Sequence, residues 1–411
     1  MSGKFYKLTM NDVPLEHKTV LVRADYNVPL TDEGAVADDY RIRMSLPTIK
    51  KLLAEGCKVV IISHLGRPDG QSNPKYSLEP AATRLAELLQ RPVRFVSDCI
   101  GEKARLAIKR APKASVTVCE NVRFYPGEEA NDIAFAKEIF KASGASYFVQ
   151  DGFGVVHRAH ASTSAITQFL PSVAGLLLER EYTTITDAMK HPERPLVAVL
   201  GGAKVSDKIG VIEKLIDVAD TIVIGGAMAN TFLARRGTFI GRSKVETDQN
   251  EVIDAIYEKA VQKVGRENLD SFLVLPTDVG VGTSVDATAT RQDVSVKAIP
   301  ADTMALDLGP ESTQLVERIV NAAHTVIWNG TLGFAEVPAF QTASAALANV
   351  LAKNKRVITS IIGGGDTADF AIHWDKKQGA SFSHVSTGGG ASLELMAGET
   401  LPGIDALLDA R

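Results

Sequence analysis

The hydrophobic residues of this chain fall mainly into short β-branched runs, each followed by a glycine-rich or polar turn and then by a segment with helical spacing. This order is typical of βαβ units, in which helices join parallel strands. The runs predicted as strands cover residues 19–24, 58–63, 116–119, 146–150, 195–200, 221–224, 272–275, 325–328 and 357–362. The segments predicted as helices cover residues 44–55, 81–89, 133–143, 207–217, 251–264 and 339–352. The pattern predicts an α/β protein.

A break near the middle of this pattern predicts two lobes. A helical stretch from about residue 172 to residue 190 is followed by HPERP at 191–195, which is rich in helix breakers. The length of 411 residues also exceeds that of one ordinary domain. We place the boundary after residue 178, whereas the local sequence leaves the lobe of the C-terminal tail open.

Composition and charge narrow the class of protein. The chain has 45% hydrophobic and 23% charged residues, and its net charge of −4 supplies no overall basic field for nucleic acid. Cys57, Cys99 and Cys119 form no CxxC pair, which favours a reducing compartment. Residues 1–18 lack the apolar core of a secretory signal, and the apolar stretch at 221–234 is too short for a bilayer. We expect a cytoplasmic protein without a membrane segment or a nucleic-acid partner.

Basic residues follow the strands predicted in the first half, and parallel strands bring such residues to one edge of a sheet. The residues concerned are Arg41, His64, Arg67, Arg123 and Arg158, with Asp25 and Asn27 beside them. Guanidinium groups match phosphate and carboxylate oxygens, so the set predicts a pocket for a small anion. A solvated charged face is the alternative for any single arginine. His64 and His157, taken alone, fit buried structural histidines equally well, and the HxxH of His157 and His160 has too few partners for a zinc site.

Glycine clusters follow the strands predicted in the second half, at 201–202, 225–226, 363–365 and 388–390. Glycine lets the backbone approach a ligand, and N–H groups at a helix N-terminus suit phosphates. Simple chain reversal is the alternative for any one cluster. The chain has no GxxxxGK[ST] motif, and the GxGxxA match at 363–368 lacks the acidic residue that a dinucleotide fold needs. The second half is predicted to bind a nucleotide.

Two charged residues stand at predicted helix starts in this half. Ser206 is predicted to cap a helix, which places Lys208 in its first turn, where a cation opposes the helix dipole by roughly 0.3–1 kcal/mol. A bound anion explains this placement, and a solvated lysine is the alternative. On this reading, Lys208→Met should leave the helix as stable as before or slightly more stable. Asp366 follows a triple glycine and is predicted to cap a helix, to hold Mg²⁺, or to do both.

Taken in order, these motifs resemble the phosphoglycerate kinase family over essentially the whole chain. The motifs are RADYNVP at 23–29, SHLGRP at 63–68, ENVRF at 120–124, HRAHAS at 157–162, GGAKVSDK at 201–208, WNG at 328–330, GGGDT at 363–367 and STGGG at 386–390. The chain departs from the family pattern at Thr331 and Ala335, where the family has proline and phenylalanine, while Glu336 keeps its spacing.

The resemblance implies two Rossmann-like lobes, each with a mostly parallel sheet flanked by helices, joined by a helical hinge. The N-terminal lobe, at 1–178 with the tail at about 395–411, would bind 3-phosphoglycerate or 1,3-bisphosphoglycerate. The hinge helix and the C-terminal nucleotide lobe would occupy 179–394. The implied reaction is reversible transfer of a phosphoryl group from 1,3-bisphosphoglycerate to MgADP in glycolysis, carried out by a monomer.

The resemblance also assigns the site residues. The triose acid would be held by Asp25, Asn27, Arg41, His64, Arg67, Arg123 and Arg158. The nucleotide would be held by Gly202, Lys204, Lys208, Gly226, Asn329, Glu336, Gly364, Gly365, Asp366 and Thr367, with Asp366 facing Mg²⁺. We expect Arg41 and Lys208 to flank the phosphoryl group in transit after lobe closure, which would also exclude water. A nicotinamide-dependent dehydrogenase and a non-catalytic nucleotide sensor are the alternatives.

Overall fold

The computed structural model describes residues 5–410, and the chain divides into two compact units. The first unit contains residues 5–183 and 400–410, and the second contains Thr184–Glu399. The division falls inside a helix, five residues beyond the boundary placed from the sequence.

The first unit is built on one six-stranded parallel sheet with the strand order β3-β4-β2-β1-β5-β6. Its strands are β1 Thr19–Arg23, β2 Lys58–Ile62, β3 Val93–Val96, β4 Ser115–Cys119, β5 Tyr147–Gln150 and β6 Ser172–Ala174. Its helices are α1 Tyr40–Ala54, α2 Glu79–Leu89, α3 Gly101–Lys109, α4 Ile133–Ser143 and α5 Leu176–Lys190, of which α5 continues into the second unit.

The central strand of this sheet shows why the apolar runs become strands. Val22 of β1 lies beside Ile61 of β2 and Val149 of β5, and all three side chains are buried. A strand covered on both faces is stabilised by a continuous apolar run rather than by alternation. The charged and polar residues that follow β1, β2 and β4 are thereby brought to one edge of the sheet.

The second unit contains a second six-stranded parallel sheet, with the order β15-β14-β13-β7-β8-β9. Its strands are β7 Leu196–Leu200, β8 Thr221–Ile224, β9 Leu273–Val274, β13 Thr325–Asn329, β14 Thr359–Gly363 and β15 His384–Val385. A three-stranded antiparallel sheet adds β10 Asp278–Gly282, β11 Gln292–Ser295 and β12 Met304–Leu308.

The helices that follow α5 lie in the second unit, apart from the last one, which lies in the tail of the first unit. They are α6 Ile209–Val218, α7 Gly226–Arg235, α8 Asn250–Val264, α9 Leu269–Phe272, α10 Pro310–Asn321, α11 Thr342–Lys353, α12 Gly365–Trp374, α13 Gly389–Ala397 and, in the tail, α14 Pro402–Asp405. The tail hydrogen-bonds within the first unit, where the N–H of Gly403 donates to the carbonyl of Val156 at 2.8 Å. No helix among the described residues is long and apolar enough to cross a membrane.

The predicted α/β class and its two parallel sheets are confirmed, whereas one local prediction is wrong and several elements were not predicted. The helix predicted from about residue 172 begins only at Leu176, because Ser172–Ala174 pairs with β5 as an edge strand. The small antiparallel sheet was not predicted. Its strand β11 is mostly exposed, so it carries no apolar run that would mark it in the sequence.

Candidate active site

Three residues predicted to bind an anion are joined at the end of β1. Arg41, on α1, places its Nη1 atom 3.1 Å from Oδ2 of Asp25 and donates to the carbonyl of Asn27 at 3.0 Å. The Asn27 side chain in turn accepts the N–H of Gly66 at 2.9 Å, after β2. Hydrogen bonds therefore connect the ends of two neighbouring strands.

Arg123 belongs to the same cluster and is nearly buried. The side chain of Asn121 fixes the turn Val122–Phe124 by accepting the N–H of Arg123 at 3.0 Å, and Nη1 of Arg123 donates to the carbonyl of Gly66 at 2.9 Å. Burial lowers the pKa of Arg123; Glu129 opposes this, and the neighbouring guanidinium groups of Arg158 and Arg67 lower it further. Arg67 and Arg158 are therefore close enough to Arg123 for their positive charges to act on it.

Arg67 and Arg158 supply the uncompensated charge of the cluster. Both side chains are exposed, and neither forms an ion pair with any of the residues 5–410. Paired surface arginines are common in proteins, whereas clustered unpaired ones repel one another and favour an anionic ligand.

Three histidines lie at this end of the sheet and carry little positive charge. Burial lowers the pKa of His64 well below its usual value, and the guanidinium groups of Arg23, Arg123 and Arg41 add to this effect. Burial likewise lowers the pKa of His157 and of His160 to about 4. His64 is therefore neutral near pH 7 and acts as a hydrogen-bonding group.

Arg23 is a residue of this region that the sequence analysis did not select. Its side chain is buried, and it donates to Oγ of Ser162 at 2.7 Å and to the carbonyl of Ala24 at 2.5 Å. Its Nη2 atom lies 3.3 Å from Nδ1 of His64. Its place at the end of the apolar run of β1 could have marked it, because a charged side chain on a buried strand needs hydrogen-bond or ion-pair partners.

In the second unit, the glycines after β7 and β8 allow two backbone segments to approach closely. The N–H of Gly202 donates to the carbonyl of Thr331 at 3.0 Å, and the N–H of Met228 donates to the carbonyl of Gly202 at 3.0 Å. Gly226 has a φ angle of +62°, and a Cβ atom there would lie 2.6 Å from the Gly202 nitrogen. Only glycine fits such a position without a shift of the backbone.

Lys208 lies beside these glycines, and its local setting differs from the prediction. Residues Ser206–Lys208 form a short 3-10 turn, α6 begins at Ile209, and no side chain caps that helix. The hydroxyl of Ser206 donates to Glu246 instead, so Ser206 is not the predicted helix cap. Lys208 therefore precedes the helix rather than standing in its first turn.

The ammonium group of Lys208 is buried and held by the backbone. Its Nζ atom donates to the carbonyls of Gly201 and Asn329, each at 2.8 Å. Burial lowers the pKa of Lys208 to about 8, against the opposing influence of Asp207 and Asp366. Lys208 is therefore mainly protonated at neutral pH, and it is not a solvated lysine.

Asn329 has a buried amide group with unused hydrogen-bonding capacity. Its side chain is 1% exposed, and its Nδ2 atom has no hydrogen-bond partner among the described residues. A Cβ atom on Gly364, which has a φ angle of +90°, would lie 3.2 Å from that nitrogen. The hydroxyl oxygen of Thr367 accepts the N–H of Gly330 at 2.6 Å. An unpaired buried donor at a glycine-lined edge is suited to a ligand.

The remaining predicted nucleotide residues are exposed at the ends of these elements. They are Lys204, Glu336, Gly365 and Asp366. Asp366 stands in the first turn of α12 but makes no capping hydrogen bond, so the predicted helix cap is absent. Its carboxylate projects from a helix N-terminus near Lys208 and is free to bind a cation.

Comparisons with known proteins agree on one family. The family model described as phosphoglycerate kinase matches residues 10–399. A protein named phosphoglycerate kinase from Pelotomaculum thermopropionicum is 44% identical over 405 residues, covering 98% of this chain and 99% of the relative. Another of that name, from Thermosynechococcus vestitus, is 46% identical over 400 residues, covering 96% of this chain and 97% of the relative.

Solved structures give the same result. The structure of phosphoglycerate kinase from Coxiella burnetii has a TM-score of 0.81 and 35% identity, and that from Pyrococcus horikoshii OT3 has a TM-score of 0.82 and 29% identity. Each comparison covers 97% of this chain and 98% of the other. Given the match of the family model over nearly its whole length, this chain belongs to the phosphoglycerate kinase family.

Proposed function

We propose that this chain catalyses the reversible transfer of a phosphoryl group from 1,3-bisphosphoglycerate to MgADP. The acyl phosphate P–O bond breaks, a P–O bond to the terminal phosphate of ADP forms, and 3-phosphoglycerate leaves as a carboxylate. The observation that carries the proposal is the arginine cluster of the first unit, in which Arg67 and Arg158 lack carboxylate partners among the described residues.

The first unit would bind the triose acid. Arg67, Arg123 and Arg158 would hold its anionic groups through charge-assisted hydrogen bonds, which are typically worth roughly 1.5–3 kcal/mol. His64, being neutral, would contribute a hydrogen bond rather than charge. Asp25 and Asn27 would orient Arg41 and the remaining polar groups of the substrate.

The second unit would bind the nucleotide. The backbone of Gly202, Gly226, Gly364 and Gly365 would approach the phosphates, because a side chain at the first three would clash or be strained. The unpaired Nδ2 of Asn329 would donate to the ligand, Thr367 would hold the neighbouring turn, and Lys204 and Glu336 would bind from exposed positions. The free carboxylate of Asp366 fits Mg²⁺, which would neutralise phosphate charge when it is bound with the nucleotide.

Catalysis would rest on position and charge. The carboxylate of 3-phosphoglycerate is itself the nucleophile in the direction that consumes ATP, so no general base is required. Arg41 and Lys208 would each stabilise negative charge on the phosphoryl group during transfer. Lys208 is suited to this role because two backbone carbonyls fix its ammonium group in place.

Turnover with 3-phosphoglycerate and MgATP, measured by coupling 1,3-bisphosphoglycerate formation to NADH oxidation, tests this proposal. We expect Arg158→Ala to raise KM for 3-phosphoglycerate roughly ten- to hundredfold while KM for MgATP stays within twofold. Arg158 is a better choice than Arg123, because Arg123 also holds the Gly66 carbonyl and its loss would disturb the fold.

Arg94→Ala is the matched control, since Arg94 is exposed on β3 without an ion pair among the described residues. It should leave both KM values unchanged. Absence of turnover in the unmodified protein would contradict the proposed reaction. A rise confined to KM for MgATP would show that Arg158 does not bind the triose acid.

A further inference from the structure

Glu128 is a fully buried carboxylate that lies outside the set of proposed substrate-binding residues. It stands in the loop between the turn Val122–Phe124 and α4, in the same unit as the arginine cluster. Its Oε1 atom accepts the hydroxyl of Ser162 at 2.6 Å, and its Oε2 atom accepts the N–H of Ser162 at 2.9 Å. Its backbone carbonyl accepts the N–H of Ala161, also at 2.9 Å.

These three hydrogen bonds fasten residues 157–163, the loop that carries Arg158. Within this loop, Oγ1 of Thr163 accepts the N–H of His160 at 2.9 Å and donates to the carbonyl of Arg158 at 2.8 Å. The backbone of Arg158 is thus linked through Thr163 to the segment that Glu128 holds. The side chain of Arg158 itself is exposed and forms no ion pair among the described residues, so the position of the loop backbone limits where its guanidinium group can reach.

Glu128 also balances a buried positive charge. Arg23 donates to the same Ser162 hydroxyl at 2.7 Å, and its Nη2 atom lies 3.9 Å from Oε1 of Glu128. Ser162 therefore bridges the two ions by accepting from Arg23 and donating to Glu128. Burial raises the pKa of Glu128, while the charge of Arg23 opposes that rise. Since Arg23 contacts His64, loss of the carboxylate would also disturb a proposed substrate ligand.

We propose that Glu128 is a positioning residue for the triose-acid site, which fixes the Arg158 loop and holds Arg23 in place beside His64. The role rests on the proposed function, because it concerns the binding of 3-phosphoglycerate. It does not require Glu128 to touch the substrate. It predicts that changes at Glu128 affect the binding of 3-phosphoglycerate and not that of the nucleotide, mainly through Arg158 and to a smaller extent through Arg23 and His64.

The test compares Glu128→Gln, Arg158→Ala and the double variant. Glutamine keeps the size of the side chain but replaces one acceptor oxygen with a donor and removes the charge. We expect Glu128→Gln to raise KM for 3-phosphoglycerate about tenfold, with KM for MgATP within twofold. In the Glu128→Gln protein, Arg158→Ala should then raise KM for 3-phosphoglycerate much less than it does in the unmodified protein, because the two residues act on one interaction.

Two further variants separate positioning from a general loss of stability. Asp278→Asn is the matched control in the second unit, where the buried Asp278 carboxylate accepts the N–H groups of Glu311 and Ser312. It should lower the melting temperature without changing KM for 3-phosphoglycerate. If Glu128→Gln does not fold, Ser162→Ala removes only the bridging hydroxyl and should give a smaller change of the same kind.

Hydrogen exchange of peptides covering residues 157–163 gives a readout that is independent of activity. Protection of this loop should fall in Glu128→Gln and stay normal in Asp278→Asn. This result tests whether Glu128 fixes the Arg158 loop even if the unmodified protein does not turn over 3-phosphoglycerate. Absence of turnover would contradict the proposed function and not the positioning role. Unchanged loop protection, equal changes in both KM values, or full additivity with Arg158→Ala would overturn the proposal.

Discussion

The ammonium group of Lys208 is held by the two backbone turns that line the proposed nucleotide site. Its donors point to the carbonyls of Gly201 and Asn329, and little of the side chain is exposed. The Asn329 carbonyl also accepts the N–H of Gly201, whereas Lys208 is the one described donor to the Gly201 carbonyl. This single side chain therefore has a structural role as well as its proposed catalytic one.

We expect Lys208→Met to lower kcat by about 10²–10³, as for the loss of one preorganised transition-state donor. The melting temperature should fall by a few degrees, because the Gly201 carbonyl would be left buried without its donor, a loss of roughly 1–3 kcal/mol. The expectation of unchanged or higher stability, drawn from the helix dipole alone, is therefore reversed. Turnover and thermal unfolding of the same preparation measure the two effects.

Lys204→Met is the matched control, since Lys204 is exposed four residues earlier in the chain. It should change the melting temperature little and lower kcat far less than Lys208→Met does. A Lys208→Met protein with near-normal kcat, or with activity lost only in proportion to its unfolded fraction, would contradict the catalytic assignment.

At the scale of elements, the turn Ser206–Lys208 that leads into α6 is held by a residue that is remote along the chain. Glu246 accepts the N–H groups of Val205 and Ser206 at 2.7 and 3.1 Å, as well as the Ser206 hydroxyl. These hydrogen bonds lower the pKa of the Glu246 carboxyl against the effect of its partial burial. A carboxylate 40 residues further along the chain thus holds the turn that leads into α6, whereas the predicted local helix cap is absent.

Glu246→Ala should therefore destabilise the second unit by about 1 kcal/mol and lower kcat, because the turn that carries Lys208 loses its anchor. Denaturant unfolding and steady-state kinetics measure the two effects. Glu213→Ala is the control, since the Glu213 side chain is exposed in the middle of α6 and makes no hydrogen bond or ion pair among the described residues. If Glu246→Ala matches Glu213→Ala in both stability and kcat, the anchoring role is wrong.

At the scale of the whole molecule, the two units carry different chemistry. The arginine cluster lies in residues 5–183 and 400–410, and the glycine-lined edge lies in Thr184–Glu399. Each unit has its own parallel sheet and its own buried core. Each can therefore present a ligand site at the carboxyl ends of its strands.

Hydrogen exchange with one ligand at a time should reveal this division. We expect 3-phosphoglycerate alone to protect peptides from the first unit, near residues 64–67 and 157–163. ADP alone should protect peptides from the second unit, near residues 201–208 and 363–367. Inorganic sulfate at the same concentration is the control for general anion binding. Protection of the same unit by both ligands would contradict the assignment of the two sites.

The sequence alone predicted the α/β alternation, the central strands of both parallel sheets and most of the residues proposed for the two sites, but not β3, α3 or the small antiparallel sheet. Helix α4 is predicted with its observed bounds, because local signals set both ends: the Asp132 side chain accepts the N–H of Ala134, and Gly144 adopts a left-handed conformation. The central strands of both parallel sheets follow from continuous apolar runs, which are also local signals. The motifs predicted that these arginines and glycines follow the ends of strands, without indicating which residues contact them.

The tertiary structure decided what surrounds each of these residues. It gave the buried Arg23 its partners Ser162 and Glu128, and it left Arg158 exposed without an ion pair among the described residues. It also joined Glu128 to Ser162, 34 residues away, and Lys208 to the Asn329 carbonyl, 121 residues away. Burial and hydrogen-bond partners depend on residues that are remote along the chain and adjacent only after folding, so no local pattern carries them.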